Sequence, residues 1–272
     1  MTTSPNSPIQ ADVITRKYAP LIGKSQYGDG LATDRLEYWN YGAWADDIDD
    51  PHTASARLVE ELIQKLPEKP NHVLDVAFGQ GGSTRRLCEL FGTNAVTGIN
   101  IAPDQVQRAR NAGISCDLIE MDAARMTFRA ESFDAILCVE AAFHFDTRLE
   151  FLRRAYEALK PGGHLVMSDL LLRSGYGLDP MLFPPQNEVR NTSEYHQVFV
   201  DAGFNAGSVE IVVTTATQIG PYFYNLSEIA GYLPIADPEV IQIHEKDRQK
   251  LIEFILTRTI NISESVNVVA RK

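Results

Sequence analysis

The 272-residue sequence has only three cysteines, Cys88, Cys116 and Cys138, in predicted helix and strand segments with no metal-ligand spacing. So sparse and odd a set argues against a disulfide framework or a zinc site, and for core thiols in a reducing, cytoplasmic setting. A Lys/Arg-rich block is also missing, and the formal net charge is -11. Nucleic-acid binding draws on clustered cations that neutralise phosphate, so DNA and RNA are not expected partners. No apolar run approaches the roughly 20 residues of a membrane span. The polar start, Met1 to Asp12, has no signal-peptide core. Internal repeats are absent, and so is any low-complexity tract beyond that start.

The chain does have 44% hydrophobic residues, enough for one sizeable core or a core plus a cap. Leu58, Leu62 and Leu66 recur every fourth residue, which predicts an amphipathic helix over 53–66. An alternation follows. Strands are expected at Val73–Ala77, Ala95–Ile101, Ser115–Met121, Phe133–Val139 and His164–Asp169. Helices lie between them, one from Gly82 to Phe91, one opened by Pro103 and one capped by Asp146. Strands this apolar are buried on both faces, so the rhythm means a doubly wound α/β domain with a parallel sheet. Later, Thr192 caps a short helix, Ala206–Thr214 and Glu264–Ala270 read as strands, and 238–259 reads as helix. One domain spanning 1–272, with lid or cap segments at 13–50, 171–191 and 215–260, accounts for this better than two.

Five segments carry chemistry. The first is Asp75-Val76-Ala77-Phe78-Gly79-Gln80-Gly81-Gly82-Ser83, a strand entering a glycine loop and then a helix. Glycines there let backbone approach a ligand, but the third glycine of the dinucleotide spacing is lacking, and a plain tight turn explains the loop equally. The second is Asn100-Ile101-Ala102-Pro103-Asp104-Gln105. In doubly wound folds a polar residue at this strand end, about 20 residues past the loop, meets a ribose hydroxyl. The third is Met121-Asp122-Ala123, where an acid can accept from an exocyclic amine while the next N–H donates, a pair of roles suited to adenine. The fourth, Tyr38-Trp39-Asn40-Tyr41-Gly42-Ala43-Trp44, is either a lid whose aromatic faces shelter a cation or a clasp tethering the N-terminal arm. The fifth, Glu140-Ala141-Ala142-Phe143-His144, follows the fourth strand, and Asp169 ends the fifth on the same rim. A His beside a strand-end carboxylate can be a general base; it can equally be a structural histidine. His52, His72, His164, His196 and His244 have no such placement.

Together with Leu159-Lys160-Pro161-Gly162-Gly163, the order and spacing of these segments over residues 53–170 resemble the class I S-adenosylmethionine-dependent methyltransferases. The resemblance implies a Rossmann-like sheet of seven strands with the last antiparallel, and S-adenosylmethionine as cofactor. It implies a binding set of Asp75, Ala77, Gly79, Gly81, Gly82, Ser83, Asn100, Ile101, Gln105, Asp122, Ala123 and Glu140. Within it, Asp75 and Gly79 lie near the methionine part, Asn100 on the ribose and Asp122 on the adenine. Ala77-Phe78 departs from the usual small pair, and Asn100 stands where an acid is common. The Asn form, with Pro103 and Gln105, resembles the subgroup acting on natural products. It implies O-methylation of a small, largely hydrophobic acceptor, with His144 as base and Asp169 as its orienting partner. Tyr18, Tyr38, Trp39, Trp44, Tyr176, Phe183 and Tyr222 are the expected lid and substrate aromatics. Asp169 is followed by Leu170-Leu171-Leu172 rather than a metal-binding pair, so no metal is implied. Alternatives are C- or N-methylation on the same scaffold, or a cyclase that keeps the cofactor pocket; a dehydrogenase is disfavoured by the loop spacing. A homo-oligomer is compatible with all of these.

Overall fold

The structure, a computed structural model, describes residues 38, 40–45, 48, 51–172, 183–214 and 262–272. The expected helix at 238–259 and the aromatics Tyr18, Trp39, Tyr176 and Tyr222 lie outside the described residues, as do most of the expected cap segments. No helix among the described residues is long and apolar enough to cross a membrane.

Seven strands form one sheet: β1 (Val73–Val76), β2 (Val96–Asn100), β3 (Asp117–Glu120), β4 (Phe133–Val139), β5 (Leu159–Leu172), β6 (Val209–Thr214) and β7 (Ile262–Arg271), in the order β3-β2-β1-β4-β5-β7-β6. The first five run parallel, and β7 is antiparallel to both β5 and β6. This is the expected sheet with its last strand reversed. Five α-helices among the described residues accompany it: α1 (Pro51–Ile63), α2 (Gly82–Phe91), α3 (Pro103–Asn111), α4 (Arg148–Ala158) and α5 (Thr192–Ala202). All four residues of β1 are buried, as a strand covered on both faces must be. Leu58, Leu62, Val73, Leu87, Leu137 and Val166 pack one face, against α1 and α2. Leu74, Ile136, Phe151, Leu152, Leu165, Met167, Tyr195 and Phe199 pack the other, against α4 and α5.

Several boundaries differ from the sequence reading for local reasons. Thr147, not Asp146, caps α4 by accepting from the Glu150 N–H at 3.0 Å, because Asp146 is engaged by Arg125. Asn191, one residue before Thr192, caps α5 through the Glu194 N–H at 2.9 Å. The Asn205 side chain takes the Gly207 N–H at 2.9 Å, so Ala206–Ser208 is a 3-10 turn and β6 starts only at Val209. β5 is longer than expected, because Gly162 and Gly163 continue its pairing by exchanging backbone hydrogen bonds with Lys272 at 2.8 and 3.1 Å.

The chain runs from β1 outward to β3, then returns to β4 and moves the other way. β1 and β4 therefore flank the topological switch point, where a crevice opens beyond the strands' carboxyl ends.

Candidate cofactor site and catalytic rim

An open cleft of about 740 Å³ sits at that switch point, lined by Ala77, Gly79, Asn100, Ile101, Gln105, Met121, Asp122, Ala123, Val139, Glu140, Ala141, His144 and Phe145. Segments leaving four successive strands converge there. A smaller cavity adjoins it, sharing Ala77, Gly79 and Val139 and adding Tyr38, Asn40, Asp75 and Ser83.

The glycine loop is built for close approach. Gly79 has φ +56°, and a Cβ placed there would meet no protein atom within 4 Å, so the space over it is free for a ligand. Gly81 has a different task. Its Cβ would come within 2.4 Å of Ile114 Cδ1, so this glycine lets the loop pack on the core, and neither it nor Gly82 lines the cleft or the smaller cavity. Phe78, the departure from a small pair, is buried with Val106, Ala109, Ile114 and Leu118. It lies over Gly98, where a Cβ would meet Phe78 Cδ1 at 3.0 Å. The sequence reading gave Gly98 no role; its place in the middle of a strand was the available signal.

Asp75 is 1% exposed. Its Oδ2 accepts from Ser83 Oγ at 2.7 Å and Thr84 Oγ1 at 2.6 Å, while buried Oδ1 has no hydrogen-bond partner among the described residues. Burial pushes its pKa up to about 6, against the lowering effect of the two hydroxyls. Asn100 donates to Gln105 Oε1 at 2.8 Å and accepts from the Ala102 N–H at 2.9 Å, so β2 ends in a neutral, internally paired amide couple. Asp122 accepts from the Ala124 N–H at 2.9 Å and from Arg125 at 2.6 Å. The Asp-x-x-Arg spacing signals the Asp122 pair, whereas Arg125 also reaches Asp146, 21 residues further on, which no local spacing signals.

Glu140 follows β4 with φ +45° and accepts from the Tyr41 N–H at 2.8 Å. Burial pushes its pKa from 4.5 to about 8; the Tyr41 hydrogen bond opposes the shift, and the nearby Asp169 charge adds to it. In the unfolded chain Glu140 loses its proton near 4.5, in the folded chain near 8, so the folded state holds more protons between those values. Stability therefore falls as pH rises through that window. Glu140→Gln should cancel the fall, raising the melting temperature relative to wild type at pH 8.5 but not at pH 4. Parallel melting curves at both ends of the window would disprove the burial of this carboxyl.

Residues 40–44 of the aromatic stretch are tied to the start of α1 and to one another. Asn40 and Ser55 exchange side-chain-to-carbonyl hydrogen bonds at 3.2 and 2.9 Å, and the Ala43 N–H donates to the Ala54 carbonyl at 2.8 Å. Trp44 donates to the Tyr41 carbonyl at 2.7 Å and lines neither cavity, whereas Tyr38 lines the smaller one.

His144 lines the cleft and is 8% exposed. The expected pairing with Asp169 is corrected. Asp169 is fully buried, and its carboxylate accepts from Arg148 Nε at 2.7 Å, Tyr195 Oη at 2.6 Å and the Leu170 N–H at 2.8 Å. His144 instead packs its ring against Phe143 and Phe183, with centroids at 4.2 and 5.2 Å. Arg148, Tyr195 and Asn187, which complete the Asp169 network, were not foreseen.

A doubly wound domain with a glycine loop, polar second-strand and third-strand ends and an open switch-point cleft defines a protein that binds a nucleotide-type cofactor. Residues 74–167 match the family described as a methyltransferase domain. That match, and the sheet that frames it, make residues 74–167 similar to the methyltransferase domains of S-adenosylmethionine-dependent enzymes. It is similar to 27-O-demethylrifamycin SV methyltransferase of Amycolatopsis mediterranei, 30% identical over 160 residues that are 56% of this chain and 58% of that protein. It is also similar to 2-methyl-6-phytyl-1,4-hydroquinone methyltransferase of Synechocystis, 40% identical over 153 residues, 49% of this chain and 46% of that one. The chain thus spans about half the length of the curated relatives it matches. In fold it resembles the [4+2]-cyclase SpnF, with a TM-score of 0.70 at 19% identity, covering 100% of this chain and 98% of that one.

The residues fit S-adenosylmethionine. The unpartnered Asp75 oxygen suits an ammonium group, the free space over Gly79 suits the close passage of a ligand, and the amide couple and Asp122 offer the mixed donors and acceptors a nucleoside needs. Asn100→Ala should weaken S-adenosylhomocysteine binding by roughly 1–3 kcal/mol in calorimetry, since Gln105 and Ala102 lose their partner as well as the ligand. Unchanged affinity would reduce Asn100 to a shaper of backbone.

Proposed function

We propose that this chain transfers the methyl group of S-adenosylmethionine to a hydroxyl of a small, largely hydrophobic acceptor, with His144 taking the proton. The observation that carries this reading is that His144 lines the same cleft as Asn100, Gln105 and Asp122. On this reading a proton acceptor shares the cleft that would hold the cofactor. Direct displacement at a sulfonium methyl needs nucleophile, carbon and sulfur in line, so the residues act chiefly by positioning, and by receiving the hydroxyl proton as the oxygen is alkylated. The O-methylating name of the rifamycin relative supports the same choice.

A second reading is methylation at carbon or nitrogen. It is favoured by Glu140, a buried carboxyl on the same rim, and by the absence of a carboxylate–histidine pair between Asp169 and His144. Cyclisation within the same pocket is a third outcome, suggested only by the shared fold with SpnF. Incubation with methyl-labelled cofactor and a panel of phenolic, glycosidic, prenyl and amine acceptors tests all three. Label on oxygen supports the proposal, label on carbon or nitrogen replaces it, and product formed without label transfer moves the reading to cyclisation.

A further inference from the structure

His144 sits at the end of a short 3-10 turn, Ala142–His144, and such turns are poorly self-supporting. Residues 183–187 brace it. Phe183 stacks on Phe143 with centroids 5.8 Å apart and planes 13° from parallel, and lies 5.2 Å from the His144 ring. Asn187, 4% exposed, ends a second 3-10 turn, Pro185–Asn187. Its amide donates to the Ala142 carbonyl at 2.8 Å. Its side-chain oxygen accepts from the Arg148 N–H, and its own carbonyl accepts from the Arg148 guanidinium. That guanidinium is held by Asp169 at 2.7 Å and by the Leu170 carbonyl at 2.8 Å. A continuous chain of buried polar contacts therefore runs from the end of β5 through Arg148 and Asn187 to the turn that carries His144.

We propose that Asn187 is a positioning residue: it fixes the Ala142–His144 turn so that His144 faces the cleft, and Asp169 acts on His144 through Arg148 and Asn187. This rests on the reading of His144 as proton acceptor. The Ala142 carbonyl accepts from two donors, the Phe145 N–H at 3.2 Å and the Asn187 amide. Without the amide, the Ala142 carbonyl keeps only the longer of these two bonds, and the turn relies on it and on the His144 N–H donating to the Ala141 carbonyl at 3.0 Å. A displacement of about 1 Å at a reacting group can cost about 100-fold in rate. No other link between Asp169 and His144 is needed to make a strand-end carboxylate matter to the reaction.

Asn187→Asp separates this role from general stability. The aspartate keeps an acceptor for the Arg148 N–H and places a negative charge beside the guanidinium, but it cannot donate to Ala142. With S-adenosylhomocysteine bound to the full chain, amide exchange at His144 and Phe145 should quicken about tenfold, while the amides of β4 and the calorimetric affinity stay at wild-type values. The imidazole resonances of His144 should titrate differently from wild type, and Phe183→Leu, a milder change, should alter the same titration. With whichever acceptor the labelling panel identifies, turnover should fall roughly 10- to 100-fold at unchanged cofactor KM. The loss should vanish in a His144→Ala background. Wild-type exchange and imidazole titration in both variants would overturn the proposal, as would an equal loss of turnover with and without His144. If instead His144→Ala alone kept full turnover, the base assignment would fail, while the exchange data would still report whether Asn187 holds the turn.

Discussion

Arg148→Met should cost about 3–5 kcal/mol of folding stability, the usual penalty for leaving one member of a buried ion pair alone. Arg148 is 3% exposed and Asp169 not at all, so water cannot replace the lost partner. The substitution strands the Asp169 carboxylate with only Tyr195 and its neighbouring N–H, and removes the donor to the Leu170 carbonyl. Urea denaturation would read the loss as a lowered midpoint with little change in slope. Adding Asp169→Leu should restore much of the stability, because an apolar pair can replace a buried ionic one at little net cost. A loss below about 1 kcal/mol, the range of exposed pairs, would mean that this network is open to solvent.

His144→Ala should lower turnover by roughly 100- to 10,000-fold while cofactor affinity holds, the range expected when a general base is removed. Single-turnover measurement with saturating cofactor isolates this step from binding and release. Near-normal turnover in the variant would overturn the assignment of His144 as proton acceptor. Loss of cofactor affinity would make His144 a binding residue.

The sheet and most of the cofactor cleft were legible because both follow from strand ends. Once the apolar runs are strands, the residue after each carboxyl end is at the rim, and Ala77, Asn100, Asp122 and Glu140 fall there whatever their tertiary partners. Asp169 is also at a strand's end region, but β5 continues to Leu172, and which face a side chain takes is a separate matter. Alternation held the answer. Leu165, Met167 and Leu171 share the face packed against α4 and α5, and Asp169 has their parity, whereas Val166 faces α1 and α2. The carboxylate therefore points beneath α4, toward Arg148, rather than at His144. Arg148 lies 21 residues before Asp169 in sequence, with Tyr195 26 residues after it, and no local pattern ties three elements so far apart. The capping residues shifted by one position because Ser, Thr, Asn and Asp compete for the same role and tertiary partners choose among them.

The place of β7 in the sheet carries a consequence for the order of assembly. This strand, residues 262–271, is made after both of its neighbours, β5 and β6, yet among the described residues it is the only strand that β6 pairs with. During synthesis, β6 has no ladder to join until the ribosome has released the segment that must slot in beside it. Meanwhile β5 offers an open row of N–H and C=O groups, and β6 carries Val212 and Val213, each 45% exposed even in the finished fold. Pairings of such long sequence separation form late and slowly, so the nascent chain passes through a stage with two unpaired β-strand edges. A chain shortened by those ten residues would forfeit two strands of the sheet rather than one, and its remaining edge would be a template for aggregation.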